Sequence, residues 1–282
     1  MTIGSRDFLK RITYRREVIA AARSLGLRSI LRKWYYWWAR PRDGIVRVRL
    51  AGTSGQFYVR SPEELRLLES AGGAGGEQRV LELLVSSLRP GAVVFDIGAN
   101  IGLYTVLLAK VVGEGGRVIA FEPESQTFAH LLDNLKLNSL TNVRCFRKAL
   151  GQRSGQASFY SSEIIGGGSL VPSQKGGGRR EVVDIVEGDE LVLAENLPLP
   201  QAVKIDVEGY EYAVIQGLRR TLAHHACEMV SCEIHPRRLP ADVKPEMVVG
   251  LLRSAGFSRI DTYPRWDNTF HLVAYKEASS AG

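Results

Sequence analysis

A chain of 282 residues holds one α/β domain with an appendage, and 45% hydrophobic with 24% charged residues is a globular composition. No apolar run approaches the roughly 18 residues of a spanning helix, no secretory leader pattern is visible, and three cysteines (Cys145, Cys227, Cys232) without a CxxC pair argue against a disulfide framework and a structural zinc site. The net charge of +7 is concentrated early: residues 1–40 carry ten Lys and Arg against two acids, so the remainder is close to neutral and nucleic acid is not the expected partner. The expected location is the cytoplasm.

Residues 1–43 predict a basic helical extension, one or two helices broken near Gly26, running into Trp34-Tyr35-Tyr36-Trp37-Trp38 and ended by Pro41. Bases interleave with apolar residues there. One reading is a surface helix in peripheral contact with an acidic membrane, its rings at headgroup level. The other is a helix packed on the main domain with its bases in water. Residues 44–75 predict a strand hairpin and a helix: Val46, Val48 and Leu50 alternate, as do Phe57 and Val59, and Ser61-Pro62-Glu63-Glu64 has the form of a helix start. A Gly-rich joint at Gly72 to Gly76 opens the domain 76–278.

From Gln78 to about Leu88 a helix is expected, then strand Val93–Ile97, helix Leu103–Val112, strand Arg117–Phe121, helix Ser125–Asn138 with Ser125 as its cap, and strand Val143–Ala149. Gln156–Tyr160 and Arg180–Ile185 predict a hairpin around a Gly/Ser-rich loop, Gly166 to Gly178, placed where a lid would sit. Strand Ala202–Val207, helix Tyr210–Leu222, strand Glu228–Ile234, helix Lys244–Ala255 and two final strands follow. Buried strands alternating with helices predict a Rossmann-like, mainly parallel sheet covered on both faces.

Four runs carry chemistry. In Phe95-Asp96-Ile97-Gly98-Ala99-Asn100-Ile101-Gly102-Leu103-Tyr104-Thr105 an apolar strand enters a glycine turn that opens a helix. The spacing is GxNxG, not the GxGxxG of dinucleotide sites, and Asp96 would repel a pyrophosphate; it suits a ligand with an ammonium and a sulfonium. Glu122 in Phe121-Glu122-Pro123 ends the second strand, where an acid accepts both hydroxyls of a ribose. In Lys204-Ile205-Asp206-Val207-Glu208-Gly209-Tyr210-Glu211, Lys204 and Asp206 share a side and can pair, and Glu208 either meets the ligand or caps the next helix. Cys232-Glu233-Ile234-His235-Pro236 ends the following strand. His235 is a candidate general base, and Asp206, Glu233 and His235 are candidate ligands for a divalent metal, although a loop histidine capping backbone accounts for the run as well. His130, His224, His225 and His271 lack such a setting.

These motifs resemble the FkbM family of methyltransferases. The likeness extends from Val46 onward through Glu77, "FDIGANIGLYT", "FEP", "LKLN" with Asn138, "KAL" at Lys148–Leu150, "GGGSL" at Gly166–Leu170, "GDEL" at Gly188–Leu191, "KIDVEGYE" and "EIHP". The resemblance implies a class I fold with a seven-stranded sheet. It implies S-adenosyl-L-methionine as donor and O-methylation of a hydroxylated acceptor, a sugar, glycolipid, polysaccharide or natural product. Cofactor contacts are then expected from Asp96, Gly98, Asn100, Gly102 and Glu122, with Tyr104, Thr105 and Ala149 beside them, and Asp206 and Glu208 on the acceptor side; the resemblance settles neither base nor metal, and the catalytic roles expected of Asp206, His235, Lys204 and Glu208 rest on the charges at the strand ends. The competing readings are an RNA or protein methyltransferase, a non-catalytic relative that only binds the cofactor, and a nicotinamide oxidoreductase. The first lacks an NPPY-type run and a cysteine at the fourth strand; the last is disfavoured by GxNxG and Asp96.

Overall fold

The computed structural model describes residues 27–71, 76–161, 168–170, 179–265 and 268–277. The expected break near Gly26, residues 72–75 of the Gly-rich joint and most of the Gly166–Gly178 loop lie outside them. Helix α1 (Arg28–Ala39) leads to strands β1 (Ile45–Leu50) and β2 (Thr53–Tyr58), then α2 (Pro62–Ala71) and α3 (Gly76–Ser87). Alternation follows: β3 (Val93–Ile97), α4 (Leu103–Val112), β4 (Arg117–Phe121), α5 (Ser125–Leu137), β5 (Val143–Phe146). Three short strands, β6 (Ala149–Gly151), β7 (Gly155–Tyr160) and β8 (Arg180–Glu187), precede α6 (Gly188–Ala194). The chain continues with β9 (Ala202–Ile205), α7 (Glu211–Gly217), α8 (Arg219–Ala223), β10 (Met229–Ile234), α9 (Pro245–Ser254), β11 (Arg259–Pro264) and β12 (Phe270–Tyr275).

The central sheet has the order β11-β12-β10-β9-β3-β4-β5, seven strands in which β3, β4, β5, β9 and β10 run parallel and β12 pairs antiparallel with both its neighbours. Successive side chains of a strand point to opposite faces, and both faces here are buried. On β3, Val94 joins one apolar cluster, while Phe95 and Ile97 join the other; on β4, Val118 and Ala120 oppose Ile119 and Phe121 in the same way. The first cluster includes α3, α4, α5 and the β1–β2 hairpin, and the second includes α7, α8 and α9. Apolar layers on both sides are why these strands lack an apolar/polar alternation. The order reverses between β3 and β9, so the loops leaving them face each other across the crevice where such folds bind ligands.

Hairpin and α2 are part of the same core, with Phe57, Val59, Leu65 and Leu68 buried among Val80, Leu107 and Leu131. Two asparagines of α5, one turn apart, fasten β2. Asn138 pairs with Gln56 as a strand residue would: the Gln56 N–H donates to its Oδ1 (3.0 Å) and its Nδ2 donates to the Gln56 carbonyl (2.7 Å). Asn134, fully buried, accepts from the Tyr58 N–H (2.9 Å) and donates to the Ile101 carbonyl (2.8 Å), tying the hairpin to the glycine turn. The α2 start is as expected, with Ser61 Oγ accepting from the Glu64 N–H at 3.2 Å.

Three expected elements change. The third strand ends at Phe146, not Ala149: the Glu122 N–H takes the Phe146 carbonyl as the last rung, and Ala149–Gly151 pairs instead with Ile185–Glu187 in a separate sheet of order β6-β8-β7. The expected helix Tyr210–Leu222 is two helices. Gly217 packs so closely on Gly151 that a Cβ would lie 1.9 Å from its carbonyl oxygen. Asp189 then accepts from the Arg220 N–H (2.7 Å) and the Thr221 N–H (2.9 Å), as an acid does at a helix start. Ser125 does not cap α5; its hydroxyl donates to Glu181 (2.9 Å), and Glu124 occupies the cap position. Replacing Asn134 by Ala leaves a buried N–H and a buried carbonyl without partners. The expected loss is about 2–4 kcal/mol of unfolding free energy, measured by urea denaturation.

Candidate active site

The turn after β3 is held by backbone and by the side chains of Asn100, Glu122, Asn134 and Lys204. Gly98 (φ +79°) and Gly102 (φ +90°) take left-handed conformations, and Asn100 (φ +52°) does so as a residue type that tolerates it. A Cβ on Gly98 would sit 1.8 Å from the Asp206 carbonyl oxygen, so this position admits no side chain. The Gly98 and Ala99 N–H groups donate to the Phe121 carbonyl, and Asn100 Oδ1 accepts from the Ile101 N–H (2.8 Å). Glu122 closes the turn from β4: one carboxylate oxygen accepts from the Asn100 N–H (2.9 Å), the other from the Glu124 N–H (3.0 Å).

Beneath the turn, Asp96 is fully buried. It accepts from the Thr105 hydroxyl (2.6 Å) and faces the Lys204 ammonium at 3.3 Å. Lys204 also donates to the Gly98 carbonyl (2.9 Å) and lies 3.7 Å from Asp206, the pairing expected from their shared side of β9. Burial opposes the charge on Lys204, but Asp96 and Asp206 outweigh it and raise its pKa. The Tyr104 ring lies under the same ammonium, at 5.1 Å.

A cleft open to solvent lies above the ends of β3, β4 and β9. Gly98, Asn100, Glu122, Ala149, Asp206 and Glu208, each singled out from sequence, line it. Asp96, Gly102, Tyr104, Thr105 and Lys204 are absent from its lining; they build the wall behind it, because the glycine turn passes between them and the opening. Phe121, Leu150 and Phe159 supply apolar wall, and Lys148 and Tyr210 join the lining without having been singled out from sequence.

At the β9 side, Glu208 (φ +55°) is a bulky residue in the left-handed region, a costly backbone state that turns its carboxylate into the cleft. The Ser169 hydroxyl holds its carbonyl at 2.6 Å. His235, from the end of β10, is buried behind it, with Nε2 at 3.2 Å from Glu208 and Nδ1 at 2.7 Å from Glu211. Burial lowers the His235 pKa, but the Glu211 hydrogen bond and the charges of Glu208 and Asp206 prevail and push it up to about 9. The imidazole is therefore a cation at neutral pH and not the free base expected for it. Burial pushes Glu208 up to about 7 against the pull of His235. Glu211, fully buried at the first turn of α7, was not singled out from sequence. Its signal was its place three residues beyond Glu208, which puts both on one side of the chain turning into α7.

The expected metal trio of Asp206, Glu233 and His235 is altered. The groups whose ligand atoms lie within 4.8 Å of one another are Asp206, Glu208 and His235. Glu233 is turned to Arg265 at 3.1 Å, with His271 at 3.7 Å. Each of the three already has a cationic or acidic partner: Lys204 at Asp206, Arg238 at Glu208 (2.6 Å), and Glu208 and Glu211 at the imidazolium. A divalent ion bound there would replace the Arg238 contact at Glu208 and the proton on His235 Nε2, with Nδ1 still held by Glu211.

Residues 96–259 match the family model described as the methyltransferase FkbM domain, more than half of the chain. The chain belongs to the FkbM methyltransferase family. A relative, the hexuronic acid methyltransferase AglP of Haloferax volcanii, is 32% identical over 237 residues, 83% of this chain and 92% of AglP. The 31-O-demethyl-FK506 methyltransferase FkbM of Streptomyces tacrolimicus is 30% identical over 61% of this chain and 74% of its own. Methyltransferase 1 of Beauveria bassiana is 25% identical over 44% and 57%. The chain is thus an S-adenosylmethionine-dependent methyltransferase on a class I fold. The cleft suits this donor: a side-chain-free approach at Gly98, and at Glu122 a carboxylate with a lone pair to spare on each oxygen for a ribose diol.

Burial pushes the Glu122 carboxyl up to about 7, against the two backbone N–H groups that favour its charge. A diol donating to it requires the ionised form. Donor affinity is therefore full above pH 7 and lost as pH falls below it. The expected change is about a tenfold rise in Kd from pH 8 to pH 6, and Glu122→Gln should bind weakly with no such slope, as read by titration calorimetry.

Proposed function

We propose that this chain transfers a methyl group to a hydroxyl of a sugar, glycolipid, polysaccharide or natural product, with the Glu208–His235–Glu211 array taking the acceptor proton. The observation that carries this reading is the Glu208 carboxylate: it lines the cleft, it is held in a strained left-handed conformation, and its pKa is pushed to about 7. A base titrating near the working pH is both deprotonated often enough and basic enough to accept a proton. Similarity to AglP over 92% of that protein's length supports a hydroxylated, sugar-like acceptor.

The donor supplies an electrophilic methyl on a sulfonium. Transfer is an in-line displacement in which the acceptor oxygen forms the new bond as the carbon–sulfur bond breaks, and it needs alignment above all. Gly98, Asn100 and Glu122 hold the donor's sugar and chain at the β3–β4 side, and Phe121 and Leu150 offer apolar wall to its base. Asp206 and Glu208 orient the acceptor hydroxyl at the β9 side. The proton it loses passes to Glu208, whose affinity for it is raised by burial and moderated by the neighbouring imidazolium. Glu211 keeps His235 charged and turned toward Glu208, and Lys204 keeps the glycine turn seated. No step calls for a metal ion.

With a panel of hydroxylated glycans as acceptors, Glu208→Gln should lower kcat by about 10²- to 10⁴-fold while leaving the Kd for S-adenosylmethionine near that of the unmodified chain. A chelator should leave turnover unchanged. Full activity of Glu208→Gln overturns the proton route, and chelator-sensitive activity restored by a divalent ion overturns the metal-free reading.

A further inference from the structure

Among the described residues, helix α1 is fastened through one face. Tyr35 and Ala39 are buried, the Tyr35 hydroxyl donates to the Glu69 carboxylate of α2 at 3.0 Å, and the Tyr36 hydroxyl donates to the Val59 carbonyl at 3.3 Å. On the opposite face, Leu27, Ile30, Trp34 and Trp37 are spaced three, four and three residues apart. At about 100° per residue that spacing makes a single narrow stripe along the helix. All four are open to solvent: Leu27 is 42% exposed, Ile30 60%, Trp34 51% and Trp37 80%.

Four large apolar side chains in one stripe, two of them tryptophan, are not the scattered exposure normal for a folded surface. Bases lie close to the stripe in the sequence. Lys33 is exposed on α1 and Arg40, Arg42 and Arg47 are exposed just after it, Arg47 at 4.0 Å from Asp43, the one acid among residues 27–50. Among the described residues no helix is long and apolar enough to cross a membrane. A helix with an apolar stripe, tryptophans and flanking bases, anchored on its other side, has the build of an element that lies in the plane of a headgroup layer. A protein groove would satisfy the apolar stripe alone; the bases add complementarity to an acidic surface.

We propose that the Leu27, Ile30, Trp34 and Trp37 face of α1 docks on a bilayer surface that carries anionic lipid. The stripe enters the interface, the exposed bases meet the lipid charge, and Tyr35 and Tyr36 transmit the attachment to α2 and the hairpin. The α1 face has no part in the donor site or the proton route, so the inference stands apart from the proposed reaction.

The test is flotation of the full chain with phosphatidylcholine vesicles, with and without phosphatidylglycerol, at low and high salt. Titration calorimetry with S-adenosylmethionine is run in parallel to report the fold. The chain should float with the anionic vesicles and not with the neutral ones, and lose most of that binding in high salt. The Trp34→Ser/Trp37→Ser variant should partition at least about tenfold less while binding the donor unchanged, since both side chains lie outside the core. Absence of flotation by the unmodified chain overturns the proposal, and so does equal flotation by the variant. A concentration-dependent dimer that the variant cannot form, without flotation, assigns the stripe to a second copy of the chain and overturns it equally.

Discussion

The arrangement of both halves of the cleft depends on one buried ion pair, Lys204 against Asp96. The two residues are register partners on adjacent strands, β9 and β3, and each points away from water. Burying either charge alone is costly, and losing one partner of such a pair costs about 3–5 kcal/mol. Their mutual presence is therefore required by the fold, but their placement also does something a pair of leucines would not. The ammonium reaches past Asp96 to the Gly98 carbonyl on one side and toward Asp206 on the other. It thus sets the donor turn and the acceptor-side loop relative to one another, at the point where Gly98 has no room for a side chain.

Around that pair the charges divide into two groups with different solvation. Glu122 and Glu208 both titrate near 7, yet for unlike surroundings. Glu122 is buried with two backbone N–H donors, whereas Glu208 is buried among acids and held down by a histidine and an arginine. The two histidines of the region are opposites. His235, between Glu208 and Glu211, is held charged. His271 is pushed down to about 4 by burial and by Arg265, and remains neutral at physiological pH. Identical side chains are sorted into different protonation states by what stands beside them.

The N-terminal part follows a third logic. Residues 44–71 share the core of the main domain, and α5 treats β2 almost as an additional strand through Asn134 and Asn138. Because Asn134 also holds the Ile101 carbonyl, the hairpin braces the glycine turn from behind. Helix α1 packs on the domain through Tyr35 and Ala39 and presents another face to solvent.

The sequence by itself determined the alternation of strands and helices, the parallel sheet, the glycine turn after β3, the acid ending β4, and the pairing of Lys204 with Asp206. All of these are written in local periodicity and spacing, where i, i+2 or i, i+4 relations decide which side a residue faces. Only tertiary structure decided which charged residues meet the cleft. Asp96 on β3 and Thr105 on α4 flank the turn that carries Asn100, yet they pair with each other outside the cleft lining. The role of Glu211 depends on β10 delivering His235 beside α7, a contact between residues 24 apart. The end of the third strand and the break between α7 and α8 likewise rest on Phe146, Gly151 and Asp189 meeting distant partners. Protonation was the least legible of all, because a pKa is set by burial and by neighbours that the order of residues does not reveal.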